Sequence, residues 1–183
     1  MLQATGSHAG KTVLVAGLCR LLARRGLRVR PFKSQNMSLN AHVAEGGGEM
    51  GWAQVMQAEA AGVHARVEMN PILLKPRAEA RSQVVLLGRV LQEVDAVGYY
   101  RLTPRLWPAV RRSYETLARE ADVVVIEGAG SPAEPNLMRR DLANVRGSWA
   151  ISASRKRPKI LRSSGRRGVS FPIAAVRCGL FCL

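Results

Sequence analysis

Acidic residues are missing from the last part of this 183-residue sequence. From Arg146 to Leu183 there are nine Lys or Arg and no Asp or Glu. Residues 1–145 hold the other 19 basic residues and all 13 acidic ones, a net of +6, so more than half of the overall +15 sits in the tail. The charge therefore describes two unlike stretches and does not make the whole chain a nucleic-acid binder. The run Arg155–Lys159 would attract phosphates, as any basic run does, but no aromatic interleaving or binding motif accompanies it. No specific nucleic-acid partner is expected. Cysteine is scarce: Cys19, Cys178 and Cys182 are odd in number and widely split, which excludes a disulfide framework and fits a reducing cytoplasm. Long apolar runs are absent, and nothing approaches the ~20 residues of a membrane helix. The start of the chain lacks the basic, apolar and small-residue order of a secretion signal. No membrane partner is expected. The three histidines, His8, His42 and His64, all precede residue 65. Cys178 and Cys182 thus have no downstream base to activate them, and as a metal pair they lack two further ligands. Trp52, Trp107 and the methionines are scattered and read as packing residues, and Cys19 as a small buried one.

What is present is an alternation of strands and helices over residues 1–145. "MLQA" reads as a very short first strand. A helix follows from Lys11 to Arg25, with Leu14, Leu18, Leu21 and Leu22 on one face and Gly26 as its stop. "LRVRPF" is a second strand, and "EMGWAQVMQAEAAGV" a helix closed by Gly62. "SQVVLLG" is a third strand. "LWPAVRRSYETLAREA" is a long helix with Pro108 in its first turn. "DVVVIEGAG" is the clearest strand: apolar β-formers, then an acid and a glycine-rich turn. The pattern predicts an α/β fold with a parallel sheet. Residues 146–183 show neither helical nor strand periodicity and read as a separate basic tail.

Two features carry chemistry. "ATGSHAGKTV", Ala4 to Val13, ends like a phosphate-binding loop in Gly10, Lys11 and Thr12, although Thr5 stands where the usual pattern has glycine. Such loops work because backbone N–H groups and a helix N-terminus face the anion, with a lysine as point charge and a hydroxyl for Mg²⁺. At the other end of the domain, Glu127 stands at the carboxyl end of an apolar strand, where parallel sheets bind ligands and a carboxylate can hold Mg²⁺. Either feature alone is as readily a chance tripeptide or a polar residue leaving the core. Their pairing favours a nucleotide site.

Several stretches together resemble one family, the cobyric acid synthases, glutamine-dependent amidotransferases of cobalamin biosynthesis whose synthetase domain is similar to dethiobiotin synthetase. They are "AGKTVLVAGLCRLLARRGLRVRPFKSQNMSLN", "QAEAAGV", "MNPILLKP", "SQVVLLG", "VVVIEGAGSPAEPNL" and "RDLAN", in family order. "FKSQNMSLN" and "IEGAGSPAE" are the most specific. The resemblance implies a phosphate-loop (P-loop) NTPase domain over residues 1–145, incomplete at its C-terminal side. This family has a lengthened loop, Gly-Thr-x-Ser-x-x-Gly-Lys-Ser/Thr. Thr5, Ser7, Gly10, Lys11 and Thr12 match it, Ala4 replaces its glycine, and His8 stands where aspartate is frequent.

The implied reaction is amidation of peripheral carboxylates of adenosylcobyrinic acid a,c-diamide, giving cobyric acid. ATP phosphorylates the carboxylate, and ammonia then displaces phosphate. Carried over, Lys11 and Asp141 are the catalytic residues, the first on the γ-phosphate and the second near the reacting carboxylate. Thr5, Ser7, Gly10, Lys11 and Thr12 bind ATP, and Thr12 and Glu127 hold Mg²⁺. Lys33, Gln35, Asn36 and Ser38 line the corrinoid or phosphate side, with Asn136 a weaker candidate. The implied partners are a corrinoid, an ammonia source or separate glutaminase, and a second copy of the chain in a homo-oligomer. After "RDLANV" the family continues with a buried strand, an Asp-x-Asp-Arg-Gly-Gly segment and a glutaminase domain, none of which is in this sequence. The expectation is impaired activity without use of glutamine, poor solubility, and a tail from Arg146 onward translated in a shifted frame. The other two frames past codon 145 test the last point. Two other readings stay open: a non-catalytic or relic nucleotide-binding partner, and a ParA/MinD-like regulatory ATPase. The latter leaves "FKSQNMSLN" and "SPAEPNL" without an explanation.

Overall fold

The structure, a computed structural model, describes residues 1–3, 10–129 and 181–182. In chain order the elements are β1 (Leu2–Gln3), α1 (Lys11–Arg24), β2 (Val29–Phe32), β3 (Gln35–Met37), β4 (Ala41–Val43) and β5 (Glu49–Gly51). There follow α2 (Trp52–Ala61), a 3₁₀ turn (Val67–Met69), β6 (Ile72–Pro76), β7 (Ser82–Leu86), β8 (Arg89–Val94), α3 (Ala96–Glu120), β9 (Val123–Ile126) and β10 (Phe181–Cys182).

The run Val123–Ile126 is apolar without alternation because it is covered on both faces, as parallel strands normally are. Val123 and Val125 face a cluster with Val15 and Cys19 of α1, Val29 of β2 and Ala61 of α2. Val124 and Ile126 face the larger core of Phe32, Met50, Met69, Ile72, Leu74, Leu106, Val110 and Leu117. β9 lies parallel to β2, with Phe32 opposite Ile126, and Leu2 of β1 bridges in parallel to Glu127 just beyond. β10 pairs in parallel with β1. Past Ser34 the chain changes neighbour, and β3 runs parallel to β6.

The strands fall into separate sheets and are not parallel throughout: β2 pairs with β9, while β3, β6, β7 and β8 lie in that order in a second sheet. The expected third strand, β7, pairs antiparallel with both β6 and β8. The connections leave no alternative: residues 77–81 join β6 to β7, and Leu87 and Gly88, both at positive φ, join β7 to β8. A parallel crossover needs a dozen or more residues, whereas two residues at positive φ close a hairpin. β4 and β5 form another antiparallel pair.

Two helix expectations are corrected. In α1 the buried residues are Val15 and Cys19, while Leu14, Leu18 and Leu21 are 45%, 37% and 48% exposed. Val15 and Cys19 follow Thr12 at helical spacing, and Thr12 is bonded to Glu127, so that bond sets the rotation of the helix and turns the leucines outward. In α3 Pro108 lies deep inside the helix, as does Pro104, because the helix already starts at Ala96. Asp95 caps it, accepting from the Gly98 N–H at 2.7 Å. Pro104 cannot donate to the carbonyl of Tyr100, and the Thr103 hydroxyl donates to it instead at 2.9 Å. The first two helices close at Gly26 and Gly62 as expected. No helix among the described residues is long and apolar enough to cross a membrane.

Candidate functional site

The register of β2 against β9 brings two charged residues together. Phe32 is opposite Ile126, so the next residues, Lys33 and Glu127, leave the sheet side by side at the carboxyl ends of parallel strands. Backbone bonds hold both ends: the Glu127 N–H donates to Phe32 O at 2.9 Å, and the Lys33 N–H to Met69 O at 2.8 Å. α1 begins beside them. Its N-cap is Gly10 at φ 75°, a left-handed conformation that suits glycine, and the Leu14 N–H closes the first turn on Gly10 O at 3.1 Å.

Glu127 is only 1% exposed and Lys33 8%. The Lys33 ammonium lies 2.7 Å from Glu127 Oε1. The Thr12 hydroxyl donates to the same oxygen at 3.0 Å. Gln57 Nε2 donates to the other oxygen, Glu127 Oε2, and also to the backbone carbonyl of Thr12 at 3.3 Å. Both oxygens of the carboxylate are thus engaged, which offsets the desolvation of a buried charge. Deleting one member would strand its partner's charge.

Of the residues read from the sequence, Thr12, Lys33 and Glu127 come together here, and Lys11 is half-buried in the same first turn. Gln35, Asn36 and Ser38 do not join the cluster. Gln35 Oε1 accepts from the Tyr99 hydroxyl at 2.6 Å. The buried Asn36 donates to Gln54 Oε1 at 3.2 Å. Ser38 forms a local turn with Asn40. Ala4, Thr5, Ser7, His8, Asn136, Asp141 and Cys178 lie outside the described residues.

Sequence reasoning missed the residues that build the floor. Gln54 and Gln57 lie three apart on α2 and are both fully buried. Asn70 accepts from the Gly51 N–H at 3.0 Å and donates to the carbonyls of Lys33 at 3.2 Å and Ile72 at 2.9 Å. It therefore shapes the chain at Lys33 itself. The available signal was the amides of "EMGWAQVMQAEAAGV" and "MNPILLKP", Gln54, Gln57 and Asn70, at positions where packing alone would select apolar residues.

No group of three or more His, Cys, Asp or Glu among the described residues forms a metal cage. A cation at Glu127 would share one carboxylate and one hydroxyl with phosphate and water oxygens, a donor set of hard oxygens that fits Mg²⁺. Burial pushes the Cys19 thiol up to about 12, so it stays a packing group rather than a nucleophile. A separate open cavity of about 390 Å³, lined by His42, Glu45, Glu59 and His64, shares no residue with this cluster.

The family described as CbiA, the CobQ/CobB/MinD/ParA nucleotide binding domain, matches residues 1–161. The chain is similar to the cobyric acid synthase of Desulforudis audaxviator, 56% identical over 154 residues, which are 84% of this chain and 31% of that protein. It is 54% identical over 145 residues to that of Streptococcus sanguinis, covering 79% of this chain and 29% of the relative. The cobyric acid synthase of Citrobacter koseri is 55% identical over 145 residues, with the same 79% and 29%. The chain thus spans about 30% of the length of the curated relatives it matches. No solved structure matches it.

Proposed function

The chain belongs to the CobQ/CobB/MinD/ParA nucleotide binding domain family, and from that premise we propose that it performs the ATP-dependent step of carboxylate amidation on a corrinoid in cobalamin biosynthesis. The observation that carries this reading is the meeting of Thr12, Lys33 and Glu127 at the N-terminus of α1. Phosphate is bound at such helix starts, and the developing charge of phosphoryl transfer is best neutralised there. The relatives named as cobyric acid synthases support the substrate class, an adenosylcobyrinic acid a,c-diamide converted to cobyric acid.

A carboxylate is a poor acceptor for an amine. In the proposed reaction a corrinoid carboxylate oxygen attacks the γ-phosphorus and ADP departs. Ammonia then adds to the acyl carbon, losing a proton as phosphate leaves. The N–H groups of the first turn and the Lys11 ammonium hold the phosphates. Lys33 supplies a second positive charge at the strand ends. Thr12 and Glu127 are the residues that would hold Mg²⁺, which when bound supplies charge neutralisation between the phosphates. Asp141 is assigned to the reacting carboxylate, and Thr5 and Ser7 to the loop, on the strength of the motif. Ammonia comes from a glutaminase or from solution.

Calorimetry of ATP binding with Mg²⁺, comparing the chain with Lys11→Ala, tests the nucleotide site. Equal heats in both would end the reading. Release of phosphate dependent on both ammonia and the corrinoid diamide tests the amidation.

A further inference from the structure

Gln57 sits on α2 with no exposure, and its contacts leave one way to orient its amide. Its nitrogen faces Glu127 Oε2 and the Thr12 carbonyl. Both atoms accept, so both amide protons are used and the nitrogen belongs on that side. Its own Oε1 then points the other way, buried and without a hydrogen bond among the described residues. A side chain selected for packing would carry no such oxygen. The two oxygens of Glu127 consequently differ: Oε2 faces Gln57, while Oε1 faces Thr12 and Lys33.

We propose that Gln57 is a positioning residue, which locks Oε2 of Glu127 so that Oε1 alone is offered to the cation accompanying nucleotide phosphates. The proposal rests on the nucleotide site assigned above. The Lys33 ammonium already lies 2.7 Å from Oε1, and a carboxylate freed from Gln57 can turn Oε2 toward it as well, making the ion pair two-pronged and withdrawing the ligand. Through the Thr12 carbonyl the same amide fixes α2 to the first turn of α1. The hydroxyl and the carboxylate therefore keep one mutual position.

The test uses the full 183-residue chain, with ADP binding measured across a Mg²⁺ titration for wild type, Gln57→Leu and Gln57→Asn. The asparagine keeps the amide but falls one methylene short, and it serves if the leucine variant does not fold. The positioning role predicts that the Mg²⁺ needed for half-maximal tightening rises about tenfold in either variant. Binding without Mg²⁺ stays within about twofold of wild type, a split that general loss of structure would not produce. In a Glu127→Gln background, Gln57→Leu should add no further effect. An unchanged Mg²⁺ requirement in both variants overturns the proposal, as does an equal loss in the Glu127→Gln background. If the wild-type chain shows no Mg²⁺-dependent nucleotide binding, the nucleotide site and this role fall together.

Discussion

The β-structure has two halves built on different terms: the parallel pair β2–β9, bridged to β1, and a separate four-stranded sheet in the order β3-β6-β7-β8. In the half formed by β1, β2 and β9, neighbours come from distant parts of the chain: Lys33 and Glu127 are 94 residues apart, Thr12 and Glu127 115. In the half formed by β6, β7 and β8, neighbours are joined by short turns. The first half buries a lysine and a glutamate at its strand ends, against a glutamine of α2. The second carries most of its charges outside: β8 is exposed from Arg89 to Glu93, Arg77 and Glu93 pair at 3.9 Å with both side chains about half exposed, and only Lys75 of β6 is part-buried, against Glu49. The contrast teaches where chemistry can be housed. A buried charge needs rigid partners from several elements, and only the converging parallel strands with α1 and α2 supply them. The hairpins supply a wall.

The sharpest way to break this comparison is to remove one buried charge. Glu127→Ala leaves the Lys33 ammonium without its partner, and denaturant unfolding should show a loss of about 3–5 kcal/mol, with Mg²⁺-dependent nucleotide binding abolished. The double variant Lys33→Met, Glu127→Leu should recover most of the stability and none of the binding. Next in size is Gly51→Ala. A Cβ there meets Asn36 Nδ2, with Asn70 Oδ1 and Gln54 Oε1 each at 3.1 Å, and overpacking of this amide floor should cost about 1–3 kcal/mol in the same assay.

A smaller effect comes from the opposite end of β2 and β9. There Arg28 donates to Asp122 from its side chain and backbone, holding the exposed carboxyl down to about 2 from an ordinary 3.8. A depressed folded-state value means stability that is fully present above 3.8 and lost as pH falls through about 2. The melting temperature of Asp122→Asn should therefore lie slightly below wild type at neutral pH, the gap closing over that window. A gap that persists at pH 2 would point to the backbone bond rather than the charge. Least of all should Arg77→Ala matter, with a change within about 0.5 kcal/mol. A larger loss would mean that the wall is coupled to the site after all.

The converging half was the more legible in the sequence. Gly10, Lys11 and Thr12 opening a helix and Glu127 closing an apolar strand are local signatures of a ligand end, and they are where the chain brings its charges together. The rotation of α1 was not legible. Four leucines at helical spacing indicate a face, but the bond from Thr12 to Glu127 decides which face turns inward, and it spans 115 residues. The strand directions in the other half were hidden in turn chemistry: Leu87 and Gly88 reverse the chain where Gly88 had read as a strand end. Pro108 misled because a proline inside a helix is read as its beginning, whereas the Thr103 hydroxyl satisfies a carbonyl that Pro104 cannot. Gln57 escaped notice because one amide in an alanine-rich helix resembles a surface residue until its acceptors are known.

The 94 residues between Lys33 and Glu127 also set an order in time. During synthesis, which proceeds at roughly 5–20 residues per second, α1, β2 and the hairpin wall leave the ribosome before Glu127 exists to receive the Lys33 ammonium. That charge must stay hydrated until the chain has passed Glu127. The pocket thus closes late, around a strand that inserts between neighbours made seconds earlier.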